Sequence, residues 1–104
     1  MLYLYDSDGE WIAIKKDKYL FNKNGEWIGW FPGGNEIAVD LDRNYLGTIY
    51  NDDRLLFNVS QFDLFVSPIF NEPLSLGYIK EPFGMKSKVV IPGKEDIDKR
   101  KLGL

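Results

Sequence analysis

The feature that most constrains this chain is that it repeats itself. Tyr3-Leu4-Tyr5-Asp6, Tyr19-Leu20-Phe21-Asn22, Ile37-Ala38-Val39-Asp40 and Leu55-Leu56-Phe57-Asn58 share one pattern, three apolar residues and then Asp or Asn. Five residues after each of the first three polar residues comes a second motif: Trp11-Ile12-Ala13, Trp27-Ile28-Gly29 and Tyr45-Leu46-Gly47. Tyr78-Ile79 reads as a late fourth copy. Repetition on this scale specifies an architecture of similar units that bury their apolar sides in one another.

Each unit reads as strand, tight turn, strand. In Asp6-Ser7-Asp8-Gly9 and Asn22-Lys23-Asn24-Gly25 the first residue can accept backbone N–H bonds, and the glycine supplies the positive φ of a short hairpin loop. The third loop, Asp40-Leu41-Asp42-Arg43-Asn44, has Arg43 in the glycine place. It is therefore expected to be the least regular, with Asn44 left-handed or the loop shifted by one residue. Strict alternation places Trp11 with Ala13, Trp27 with Gly29 and Tyr45 with Gly47 on one face, and Ile12, Ile28 and Leu46 on the other. The small residue two places after each ring leaves room for a close neighbour.

A lone hairpin is marginal in water, so the units must bury their apolar faces against one another, in a closed ring or an open, curved sheet. The expected fold is all-β: four β-hairpin petals around a pseudo-four-fold axis, a small propeller-like ring. The units span about 2–14, 18–31, 36–50 and 53–81 within a single domain, 1–93. The fourth petal is irregular, with an insert at 59–75 in which Phe62, Leu64 and Val66 alternate as an extra strand. A closing strand is expected at about 88–92, and 94–104 reads as a charged tail, disordered or a short helix.

The runs at 5–12, 21–33 and 39–49 resemble the four-fold beta-flower family of small bacterial domains. The resemblance covers residues 2 to 57 and implies a ring of four hairpin petals. It brings no established activity with it. The insert and the tail depart from the family pattern.

Composition bounds the chemistry. The 104 residues carry 16 acidic and 13 basic side chains, a net charge of −3, which argues against non-specific nucleic-acid binding. Lys86, Lys88 and Lys99-Arg100-Lys101 read as solvated surface. With no cysteine there are no disulfides or thiolate metal sites, and with no histidine the usual triad and imidazole acid–base chemistries are gone. No cofactor is expected. No signal peptide or membrane-length apolar run is evident, so a soluble cytoplasmic protein without membrane contact is expected.

Candidate sites follow from the same residues. Asp6-Ser7-Asp8-Gly9 resembles the start of a calcium loop but lacks a third spaced acid, and turn chemistry explains it. The structural turn residues are Asp6, Gly9, Asn22, Gly25, Asp40 and Asn58. Trp11, Trp27, Tyr45 and Tyr78 either fill the ring core or line an axial mouth suited to a sugar, and Trp30 lies on the opposite face beside a loop. Acid pairs among Asp6, Asp8, Glu10, Glu26, Asp40 and Asp42 leave carboxylate hydrolysis as the remaining catalytic option. The expected function is a non-enzymatic protein-interaction or scaffold module. It pairs with an unknown partner or with itself at an edge or around Phe62 to Phe70. A small-ligand or carbohydrate-binding module is the alternative, and a carboxylate hydrolase the remote one.

Overall fold

In the computed structural model, which describes residues 1–34, 36–61, 66–68 and 71–104, the repeat folds as eight strands in chain order. These are β1 (Leu2–Tyr5), β2 (Trp11–Lys16), β3 (Tyr19–Asn22), β4 (Trp27–Trp30), β5 (Ile37–Asp40), β6 (Tyr45–Tyr50), β7 (Arg54–Asn58) and β8 (Lys94–Asp96). Each strand pairs antiparallel with the next, and β1 also pairs with β7, so β1 to β7 form a closed barrel with β8 added outside the seam. Two short turns, Pro32–Gly34 and Lys99–Leu102, complete the order, and there is no α-helix among the described residues.

The fold is all-β as expected, but the units are not separate petals. The segments joining them are themselves tight hairpins: β2 meets β3 across Asp17-Lys18, and the register from Ala13↔Asn22 to Lys16↔Tyr19 is as long as the one inside the first unit. The joints need left-handed backbone, which polar residues tolerate best, and Asp17, Asn51 and Asp52 supply it with φ of 55°, 51° and 70°.

Three units share a bulge. Tyr5 opposes Trp11 while Leu4 opposes Ala13, Phe21 opposes Trp27 while Leu20 opposes Gly29, and Val39 opposes Tyr45 while Ala38 opposes Gly47. The extra residue is Ile12, Ile28 or Leu46. A bulge breaks the two-residue alternation, and this corrects the face assignment read from sequence. Ile12 and Ala13 both enter the core, as do Leu46 and Gly47. That core is largely aliphatic, built on Leu4, Leu20, Ile49 and Leu55, with Phe31 as its one fully buried ring among the described residues.

The C-terminal third differs most from expectation. Tyr78-Ile79 is not a strand, and neither is 88–92. The strand returning to β7 is β8, in register from Asn58↔Lys94 to Leu56↔Asp96. Lys94-Glu95-Asp96 carries no apolar residue, so hydropathy alone does not mark it. Of the two forms expected for the tail, the short helix is the one found, a 3-10 helix at Lys99–Leu102: Ile97 and Leu102 are core residues, and Asp98 caps the helix by accepting from the Arg100 N–H at 2.9 Å. The extra strand expected through Phe62 and Leu64, and most of the Phe62 to Phe70 docking segment, lie outside the described residues.

Candidate functional site

The first turn sets the pattern for the others. Asp6 Oδ1 accepts the N–H groups of Asp8 and Glu10 at 3.0 and 2.9 Å. Asn22 Oδ1 accepts those of Asn24 and Glu26, both at 3.0 Å, and Asp40 Oδ1 those of Asp42 and Asn44, both at 2.9 Å. The N–H of Gly9, Gly25 and Arg43 donates back to the carbonyl of Asp6, Asn22 and Asp40 respectively. The third turn is thus as regular as the others: Arg43 itself adopts φ 70°, beside 87° at Gly9 and 85° at Gly25. Its capping bonds outweigh a left-handed penalty of about 1–2 kcal/mol. Asn58 accepts from Ser60 N–H at 3.0 Å and from Lys94 Nζ at 3.3 Å, tying the last turn to β8.

Tyr3 and Tyr19 hold the same place in their units, three residues before the turn acid or amide. Each meets its unit's tryptophan edge to face, Tyr3 against Trp11 at 5.6 Å and Tyr19 against Trp27 at 6.1 Å between ring centres. Both indole N–H groups are used internally, donating to the carbonyls of Ala13 and Gly29 at 3.0 and 2.9 Å. Both tyrosine hydroxyls reach outward to the segment 71–93, which runs over the barrel as an arm. Tyr19 donates to the Asn71 carbonyl at 3.0 Å, and Tyr3 donates to that of Lys80. A cavity of about 270 Å³ lies between the β2–β3 hairpin and the arm, walled by Lys16, Tyr19, Phe21, Glu72 and Pro73 among others. In the third unit Ile37 replaces the tyrosine, and the Tyr45 hydroxyl pairs with Thr48 Oγ1 at 2.7 Å and accepts from Asn58 N–H at 3.0 Å.

The far end of the arm closes on the first turn. Lys86 N–H donates to the Gly9 carbonyl at 2.9 Å and Val89 N–H to that of Ser7 at 2.8 Å. A Cβ at Gly9 would lie 1.9 Å from the Lys86 carbonyl oxygen, so the approach needs glycine for space as well as for φ. Asp96 accepts from Ser7 N–H at 2.8 Å and from Ser7 Oγ at 2.7 Å.

Of the aromatic candidates, Trp11, Trp27 and Tyr45 are half-buried and are not members of the core cluster. Trp30 is buried and packed between neighbouring strands, pairing with both Tyr19 and Val39 in the sheet. Tyr78 is 90% exposed and joins none of them. Asp6, Asp8 and Asp96 bring carboxylate oxygens within 4.8 Å of one another, with both Asp96 oxygens accepting from Ser7 and Asp6 Oδ1 from the turn. Burial raises the pKa of Asp6 above its ordinary value; Asp96 and Glu10 nearby raise it further, while the N–H groups it accepts oppose the rise. Lys99 beside Glu10 at 3.0 Å lowers that carboxyl.

Sequence reasoning missed Glu72-Pro73-Leu74 and Glu81-Pro82-Phe83. The signal was present, since the two runs repeat, and each directly follows a residue whose carbonyl accepts from a tyrosine.

Neither a curated protein nor a solved structure matches the chain significantly. A family model described as "4-fold beta flower protein" matches residues 1–58, the stretch from the first strand to the end of β7. The arm, β8 and the tail lie beyond that match. By this agreement over the repeat, the chain belongs to the 4-fold beta flower family.

Proposed function

We propose that this chain is a non-enzymatic interaction module: a beta-flower scaffold that holds out an apolar arm for a partner protein. One observation carries the reading. Five of the nine exposed large apolar residues among the described residues fall within 74–90: Leu74, Tyr78, Phe83, Met85 and Val90, between 70% and 106% exposed. Scattered exposed apolar side chains are ordinary on any protein, but concentration in one irregular segment marks a contact surface. The rest of the exposed surface is mainly polar turns.

The scaffold is read as four-fold. Shared turn bonds and bulges in three units support this, as does the Gln61 N–H to Asn58 carbonyl bond, which repeats the Gly9 to Asp6 bond in the last turn. In this reading β7 and β8 form the fourth petal and the arm is an insertion in its loop. The carbohydrate reading is weaker, because it needs ring-equivalent aromatics sharing one open mouth. The hydrolase reading is weaker still, because Asp6 and Asp40 are occupied by turn N–H groups.

The test is site-specific photocrosslinking from positions 78 and 83 in cells expressing the chain, alongside sedimentation of the purified protein. A discrete adduct, lost in a Leu74→Ser, Val90→Ser chain, is expected. A chain that stays monomeric at its highest attainable concentration and gives no discrete adduct would overturn the reading.

A further inference from the structure

We propose that the barrel surfaces at Tyr3 and Tyr19 in the first two units are binding sites for an extended Glu-Pro-apolar peptide, and that the chain's own arm occupies both in cis. Two repeats coincide. Tyr3 and Tyr19 are repeat-equivalent, each set edge-on against a tryptophan, and each donates its hydroxyl to a backbone carbonyl of the arm. The accepting residues, Lys80 and Asn71, are each followed by Glu-Pro-apolar. In both copies the proline is half-buried while the glutamate and the apolar residue are exposed. Pro73 shares a cavity wall with Tyr19 and Phe21.

The same tyrosine-to-carbonyl bond made twice, each time just before Glu-Pro-apolar, points to recognition rather than incidental packing. The chemistry suits proline. Its ring is rigid and apolar, it brings no N–H needing a partner, and it holds the preceding residue extended. Proline-rich segments are read by aromatic-lined grooves elsewhere, and Tyr19 and Phe21 form such a wall beside Pro73. The third unit lacks this equipment, since Ile37 has no hydroxyl and that of Tyr45 is engaged within the barrel.

This goes beyond the outward apolar surface of the arm and concerns the barrel beneath it. A partner's Glu-Pro-apolar segment would compete with the tethered arm, whose effective concentration is on the order of millimolar. Binding in trans is therefore weak until the arm is loosened.

The experiment is a labelled synthetic peptide of residues 71–84 titrated by fluorescence anisotropy into the full chain and into a full-length Pro73→Ala, Pro82→Ala variant. The peptide should bind the variant at least about tenfold more tightly than the native chain. Adding Tyr3→Phe or Tyr19→Phe to that variant should weaken binding about two- to tenfold, the effect of one hydrogen bond. A peptide with both prolines changed to alanine should not bind. Equal affinity for variant and native chain, no binding to either, or indifference to both tyrosine hydroxyls overturns the proposal. So does a native dimer that the peptide converts to monomer, which would assign these surfaces to a second copy's arm. If the double-proline variant does not fold, tryptic cleavage after Lys80 in the otherwise native Tyr3→Phe chain decides. It should be several-fold faster than in the native chain, and unchanged cleavage overturns the cis seating. None of these substitutions alters Leu74, Tyr78 or Phe83, so failure here leaves the arm-docking reading standing.

Discussion

Replacing Gly29 by alanine should cost far more than the same change at Gly47, although the two are repeat-equivalent. A Cβ on Gly29 falls 2.1 Å from the Val39 carbonyl oxygen and 3.1 Å from its carbon. Both atoms are backbone and cannot turn away. Comfortable contact begins near ~3.5 Å, so β4 and β5 must part by on the order of an ångström. Their ladder is short, only Gly29↔Asp40 and Trp30↔Val39. Losing its bonds at about 1 kcal/mol each, with strain at the barrel wall, gives a cost of about 2–4 kcal/mol. At Gly47 the nearest atom is Ile97 Cδ1 at 2.6 Å, the free end of a side chain, with the Leu56 carbonyl oxygen next at 3.1 Å. There about 1 kcal/mol of overpacking is partly offset by about 0.4–1 kcal/mol from the stiffer unfolded chain. Urea unfolding followed by tryptophan fluorescence gives both values by linear extrapolation. If the two variants fall within about 0.5 kcal/mol of each other, close backbone approach is not what selects glycine at this bulge.

Other changes test the turns. Arg43→Gly should stabilise by about 0.5–1 kcal/mol in the same assay, because it relieves a left-handed residue at φ 70° at some entropic cost. Asp6→Asn should raise stability at neutral pH, since Asn22 makes the equivalent turn bonds without charge. The sign follows from the raised pKa: the penalty of ionised Asp6 is full above its folded pKa and gone below the ordinary value of 3.8. The gain should therefore shrink as urea midpoints are measured at falling pH, and a gain that grows would contradict the assignment. The reverse change, Asn22→Asp, should destabilise by about 2–3 kcal/mol, as its amide donates to the Leu102 carbonyl and to Glu26 Oε1, both at 2.9 Å.

Much of the barrel was legible in the sequence because turns and strands are local. Asp6, Asn22 and Asp40 declared their loops through side chains that bond within four residues. What stayed hidden depended on distant partners. Nothing local says that Ile12 enters the core beside Ala13, because the bulge exists only against Leu4 and Tyr5. Lys94-Glu95-Asp96 reads as solvated tail until β7 offers it a ladder. Leu102 looks like an isolated residue in a charged end, yet it is fully buried beneath Asn22. Proline outside a strand ordinarily marks a turn or loop, and nothing local in 71–83 shows that the carbonyls of Asn71 and Lys80 meet tyrosine hydroxyls of the barrel.

The place where the arm is inserted also has a physical reason. It leaves the barrel at Asn58 and returns at Lys94, which are cross-strand neighbours. Loop-closure entropy grows only logarithmically with length, so a long excursion between paired ends costs little more than a short one. The ring itself closes through β1 and β7 and does not need β8: Tyr5 N–H donates to the Asp53 carbonyl at 2.9 Å, and Arg54 Nη1 donates to the Asp6 carbonyl at 3.2 Å. Yet the arm's base is stitched across that same seam, by Ser7 to Asp96 and by Lys86 Nζ to Asp53 at 3.5 Å. Asp53 thus lies beside both Arg54 of the closing pair and Lys86 of the arm. Drawing the arm away at its C-terminal end therefore removes partners from the one parallel contact that closes the barrel. Release at its N-terminal end, from Tyr3 and Tyr19, leaves the seam alone. An arm that exchanges ligands on this scaffold would be expected to open from residues 71–80 while remaining hinged at 86–96.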